Sequence, residues 1–197
     1  MAAYARLIAA TCRTGAPSVT QDAEVLAFWH EYNLVAAIAA LRLRRHRHHV
    51  SFSTQTFRGS VMNAFLSALD AGSVALPEER DRAGAARLTL EMAQLGRDGA
   101  SVVISPDGPL GPYRRAKPGA LIVARESGLP IRPWAVSVRP AIRLSNRWDR
   151  HIVPLPFCRL VVEEGEPIVV APRQPLRPLL ARLQAGLDET AARADRR

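Results

Sequence analysis

Two stretches carry residues able to do chemistry. The first is "AFWH", which places the imidazole of His30 directly after Phe28 and Trp29 in an apolar setting. A neutral imidazole in such a place can act as a general base, although a histidine of this kind, taken alone, is more often a core residue bonded to main chain. The second is "SPDGPLGPYRRAKPG", from Ser105 to Gly119. Pro106, Pro109 and Pro112 fix backbone angles there, while Gly108 and Gly111 permit tight ones. Asp107 is the only acid of the stretch, and Arg114, Arg115 and Lys117 follow it before a helix start. A rigid loop that brings basic groups and free N–H groups together is suited to an anion. A proline–glycine turn capped by its own aspartate accounts for the same spacing.

Other constellations are weaker. "RLRRHRHH", residues 42–49, contains His46, His48 and His49 but no cysteine or acid at ligand spacing, so no metal site is expected. It reads as a basic surface at a helix end, without the interleaved aromatics of an RNA-binding face. "WDR", at Trp148-Asp149-Arg150, reads as a surface turn in which Asp149 and Arg150 pair. No G-x-S-x-G elbow, Walker or dinucleotide fingerprint occurs.

Elements must position these residues, and the pattern alternates. Helices are predicted over 3–10, 24–43, 60–69, 83–95 and 117–127, with a C-terminal amphipathic helix over about 175–192. Strands are predicted over 50–53, 73–76, 101–105, 131–138 and 160–164. Alternation of this kind predicts an α/β domain, residues 1–197 as one unit, with a mixed, mainly parallel sheet flanked by helices. Sites in such sheets gather at the carboxyl ends of strands, where 105–117 falls.

Hydrophobic residues make up 48% of the 197, enough for a sizeable core. No signal peptide is visible, and the strongly apolar run at 25–41 is interrupted by His30, Glu31 and Asn33, so no membrane span is expected. The two cysteines, Cys12 and Cys158, lie far apart in the chain and form no metal or redox motif, which fits a reducing cytosol. Net charge is +9, nearly all of it arginine, with Lys117 the only lysine. Such a surface favours phosphate groups, anionic lipid, nucleic acid or an acidic carrier protein, and composition does not choose among them.

A resemblance narrows the choice. "SPDGPLGPYRRAKPGALIVARESGLPIRPWAV" followed by "WDRHIVPLPFCRLVVEEGEPI" resembles a bacterial family of unknown-function proteins within the lysophospholipid acyltransferase (glycerolipid acyltransferase-like) superfamily. Members carry a PDGPRGP-type loop, a KPG helix start, a GLPI-P strand and a WDR…IPLPF…GEPI tail, and "AFWH" matches the WH block. The resemblance covers about residues 26–170. It implies transfer of a fatty acyl group from a thioester to a hydroxyl of a lysophospholipid-like or other anionic lipid, with His30 as general base. It further implies that Asp107, Gly108 and Pro109, with Arg82, Arg114 and Arg115, bind the acceptor. Acyl-CoA or an acyl carrier protein serves as co-substrate, with no bound cofactor. The implied place is cytoplasmic, peripheral at the inner membrane face, and no nucleic acid is expected.

The chain departs from the superfamily pattern at four places. Val35 stands where H-x4-D puts the aspartate that orients the histidine, and Leu110 stands where the loop has its basic residue. Arg58-Gly59-Ser60 replaces a DGE-like triplet, and "PEERDRAGAARL" from Pro77 replaces an RGSS-like turn, keeping Arg82 and Gly84. Glu31, adjacent to His30, points elsewhere on a helix, which leaves Glu78 or Glu79 as partners through space. These departures keep two alternatives open: a non-catalytic lipid- or anion-binding protein on the same fold, and a basic nucleic-acid-binding protein.

Overall fold

Short apolar runs and amphipathic stretches assemble into one seven-stranded sheet with helices packed on it. The structure is a computed structural model that describes residues 2–15, 20, 22–43, 48–54, 72–76 and 82–197. In chain order the elements are α1 (Ala2–Thr11), β1 (Arg13–Gly15), β2 (Val25–Ala27), a 3-10 turn (His30–Tyr32), α2 (Asn33–Leu43), β3 (His49–Thr54) and β4 (Gly72–Leu76). There follow α3 (Arg82–Arg97), β5 (Ser101–Ile104), α4 (Gly119–Ser127), β6 (Ile131–Arg143), β7 (Ile152–Glu164) and α5 (Leu176–Asp195). The strand order is β1-β7-β6-β2-β5-β3-β4, and every neighbouring pair is parallel except the β6–β7 hairpin. This is the expected α/β class with a mixed, mainly parallel sheet.

The centre of the sheet is β2, in register with β5 on one side (Val25↔Val102) and β6 on the other (Val25↔Ile131). Val25, Leu26 and Ala27 are consecutive and all fully buried, as in a strand covered on both faces. That explains a correction. The apolar run at 24–43 does not form one helix: it splits into β2, the 3-10 turn and α2, because a uniformly apolar segment has no periodicity to tell strand from helix. His30 therefore sits in a turn just beyond the carboxyl end of β2 rather than within a helix.

Strands β6 and β7 are each 13 residues long, longer than predicted, and their hairpin carries residues 144–151 beyond the end of β2, which is level with Pro133. Helix α4 begins at Gly119 and ends at Gly128, whose φ of 74° is the left-handed cap conformation open to glycine. Helix α5 buries Leu179, Leu183 and Leu187 and packs on β6 and β7. Cys12 and Cys158, distant in sequence, become neighbours because β1 pairs with β7 (Arg13↔Arg159). Both thiols are buried and free, and burial, with Cys12 alongside, pushes the Cys158 thiol up to about 12. The helix predicted over 60–69, the triplet at Arg58, and Glu78 and Glu79 lie outside the described residues.

Candidate functional site

Three segments meet beyond the carboxyl ends of β2 and β5, which finish level (Ala27↔Ile104) while β6 runs on past them from Pro133: the His30 turn, the 105–117 loop and the 144–151 hairpin turn. Asp107 joins the first two. Its Oδ1 accepts the His30 N–H at 2.9 Å and its Oδ2 accepts the Arg114 N–H at 3.2 Å. The side chain is fully buried, and burial raises its pKa to about 6 against the opposing pull of these N–H donors. Asp107 thus pins the loop to the histidine's own main chain.

Gly108 lies directly against the imidazole. A Cβ there would come within 3.0 Å of His30 Nδ1 and 3.2 Å of the Ser105 carbonyl, so only glycine leaves the ring in place. Lys117 Nζ donates to the Gly108 carbonyl at 2.9 Å, which fixes a positive charge beside the site. Arg114 turns away to the fully buried Glu31, with its Nε at 2.6 Å from Oε1. Glu31 also accepts from Arg143 and, at 3.1 Å, from the Tyr113 hydroxyl. Pro109 and Arg115 are exposed. Arg82 opens α3, with its side chain outside the described residues. Of the sequence candidates, the fold therefore brings together His30, Asp107 and Gly108, with Arg114 held behind them.

The hairpin turn supplies groups that the sequence analysis left without a chemical role. Asp149 does not pair with Arg150. Its two oxygens are held by Arg147, with Nε to Oδ1 at 2.8 Å and Nη2 to Oδ2 at 2.9 Å. The Arg150 guanidinium lies instead over the Tyr113 ring, 4.6 Å from its centre. Asp149 is fully buried, and its Oδ2 lies 3.9 Å from His30 Nε2 and 3.7 Å from His151 Nδ1. Burial raises the Asp149 carboxyl, but the Arg147 bonds outweigh it and the pKa is lowered overall. Trp148 packs on the imidazole with ring centres 5.0 Å apart and fills the space over Gly111, where a Cβ would meet Trp148 Cε3 at 2.9 Å. The signal that could have found this group was present: an aspartate two residues from an arginine and two from a histidine, within the WDRH block.

The His30 side chain keeps 24% exposure, so the ring has an open face. Burial lowers its pKa to about 4; Asp149 opposes that, while His151, Arg147 and Lys117 reinforce it. The imidazole is neutral at pH 7, the form that accepts a proton. A cavity of about 410 Å³ lies nearby, lined by Tyr32, Val138, Arg143, Ile152 and Asp195 among others, but not by His30. Of the histidine run, His48 is exposed, His49 is buried at the start of β3, and His46 lies outside the described residues. Among the described residues no helix is long and apolar enough to cross a membrane.

Comparison with known proteins adds the following. The crystal structure of the 1-acyl-sn-glycerophosphate (LPA) acyltransferase PlsC from Thermotoga maritima superposes with a TM-score of 0.60 at 12% identity, covering 98% of this chain and 77% of that one. The fold is glycerolipid acyltransferase-like. At that identity the likeness concerns the acyltransferase-like fold itself. No family model matches the chain. The uncharacterized protein RP090 of Rickettsia prowazekii (strain Madrid E) is 24% identical over 152 residues, which span 77% of this chain and 66% of that protein, just under two thirds of its length.

Proposed function

We propose that the protein is an O-acyltransferase that moves a fatty acyl group from a thioester, on coenzyme A or an acyl carrier protein, to a hydroxyl of a lysophospholipid-like or other anionic lipid. His30 removes the hydroxyl proton as the oxygen attacks the thioester carbonyl. The tetrahedral intermediate then expels the thiolate, which recovers the proton from the imidazolium. The observation that carries this reading is a neutral histidine with an open face, pinned through Asp107 to the 105–117 loop at the carboxyl ends of the central strands. The acyltransferase-like fold supports it. Gly108 gives the acceptor close approach, and Arg115 and Lys117 supply positive charge on the 105–117 loop for its phosphate.

The test is thiol release from acyl-CoA or acyl carrier protein in the presence of lysophosphatidic acid. Turnover that falls about 10²–10⁴-fold in His30→Ala supports the reading. Turnover that survives the substitution overturns it. Val35 and Leu110, which replace a carboxylate and a cation of the superfamily pattern, favour one second reading: a lipid carrier without turnover. Retained acyl chains in purified protein, seen by mass spectrometry together with no thioester cleavage, would select it.

A further inference from the structure

The two cysteines are distant in the chain, yet the fold sets them side by side near the edge of the sheet. The β1–β7 ladder is parallel and in register at Arg13↔Arg159, which puts Cys12 and Cys158 one step back on the two chains and opposite each other. Residues opposed across adjacent strands point to the same side and stand about 4.8 Å apart, within the Cα span that a disulfide bridges. Both thiols are buried and free, and the Cys12 thiol is close enough to add to the burial that raises Cys158. We propose that Cys12 and Cys158 are a redox pair that closes reversibly into an intramolecular disulfide and so fastens α1 and β1 to β7.

The backbone of β7 can adapt to that bond. Its ladder with β6 is interrupted at this point: Ala141 pairs with Pro154 and Arg139 with Arg159, so residues 155–158 face Pro140 alone. Pro154 and Pro156 have no N–H to give, and the Phe157 N–H donates to Thr11 Oγ1 of α1 at 3.2 Å. Phe157, directly before Cys158, holds a φ of 64°, a conformation unfavourable for a bulky side chain. Cys158 therefore sits in a bulged stretch tied to α1, where a small shift to disulfide geometry is open to it.

Burial decides when the pair reacts. A thiol kept protonated inside a packed core is inert towards exchange. Helix α1 and the three-residue edge strand β1 form an N-terminal unit over β7. Tyr4 O–H donates to the Pro154 carbonyl and Arg42 to the Ala9 carbonyl, and with the Thr11 contact these bonds hold α1 down. Terminal units of this kind open locally at far less cost than global unfolding. In the open form the Cys12 thiolate attacks a low-molecular-weight disulfide, such as glutathione disulfide, and expels one glutathione thiolate. The Cys158 thiolate then attacks the Cys12 sulfur, the bond from Cys12 to glutathione breaks, and the second glutathione leaves. The pair gives up two electrons and two protons, and one glutathione disulfide becomes two glutathiones. Redocking of α1 buries the product.

The test incubates the intact folded protein with mixtures of reduced and oxidised glutathione, then alkylates free thiols in denaturant and reads the mass. Both cysteines should lose alkylation together, and a peptide cross-linked between Cys12 and Cys158 should appear, reversed by dithiothreitol. The oxidised protein should melt about 5–15 °C higher, because the bridge closes a loop of most of the chain. Cys158→Ser should instead retain glutathione on Cys12. Tyr4→Phe, which frees one tie of α1, should speed closure several-fold and give the same product. Thiols that both stay alkylatable, a bridge that forms only in denaturing urea, glutathione that remains on Cys12 of the wild type, an oxidised form that melts no higher, or a Tyr4→Phe rate equal to wild type each overturns the proposal. The pair takes no part in thioester chemistry, so turnover by the reduced protein tests the acyltransferase reading separately.

Discussion

Asp107 and His30 sit in one buried patch and answer pH in opposite ways. The pKa of His30 falls from 6.5 to about 4 on folding, so its contribution to stability is complete above 6.5 and is lost as pH falls towards 4. That is about 3 kcal/mol. Asp107 rises from 3.8 to about 6, so its contribution is complete below 3.8 and is lost as pH rises through 6, again about 3 kcal/mol. Between pH 4 and 6 the two slopes nearly cancel. Urea unfolding at pH 4, 5, 6 and 7 should show Asp107→Asn gaining stability relative to wild type as pH rises, and His30→Gln losing it. Parallel curves for all three proteins would refute both assignments. Gly108→Ala tests the contact itself. A Cβ 3.0 Å from Nδ1 must displace the ring, so turnover should drop at least tenfold while unfolding shows a loss of about 1–3 kcal/mol.

Among the elements, the turns at the strand ends are held to each other by buried charge. Glu31 on the 3-10 turn gathers Tyr113 and Arg114 from the loop and Arg143 from the end of β6. Arg114 also reaches Asp195 at the end of α5, at 3.8 Å. Glu31→Ala should cost about 3 kcal/mol, the low end for breaking a buried pair, because both arginines keep some water contact. The same variant should raise KM for the acceptor, since the loop loses its tether; thermal melts and kinetics check the two effects separately. Leu183→Ala, at a fully buried position of α5, should cost about 2–5 kcal/mol in urea unfolding.

For the molecule as a whole, the +9 charge belongs to the surface rather than to the fold. Exposed Leu7 on α1 and exposed Phe157 on β7, whose N–H donates to Thr11 of α1, add apolar groups to that arginine-rich surface. Sedimentation with vesicles should show more protein bound to anionic than to zwitterionic lipid, and binding to anionic vesicles should weaken as salt rises from about 0.05 to 0.5 M. Equal binding to both lipids at low salt would remove charge from the account.

The sequence by itself determined the class of the fold. Apolar runs at 101–105 and 131–138 and amphipathic spacing at 83–95 and 176–187 are local properties, and they led to strands and helices at those places. It also marked the PDGP loop, whose prolines and glycines are visible without coordinates, and, through the family resemblance, His30. It did not find β2, since a fully buried strand lacks the alternation that betrays a half-exposed one. Nor did it find Asp149, whose separation from His30 by most of the chain is closed only by the order β5-β2-β6 and the reach of the β6–β7 hairpin. Spacing along a chain reports neighbours within one element. Which carboxylate faces which imidazole is fixed by how strands are ordered across a sheet, and only the tertiary structure decided that.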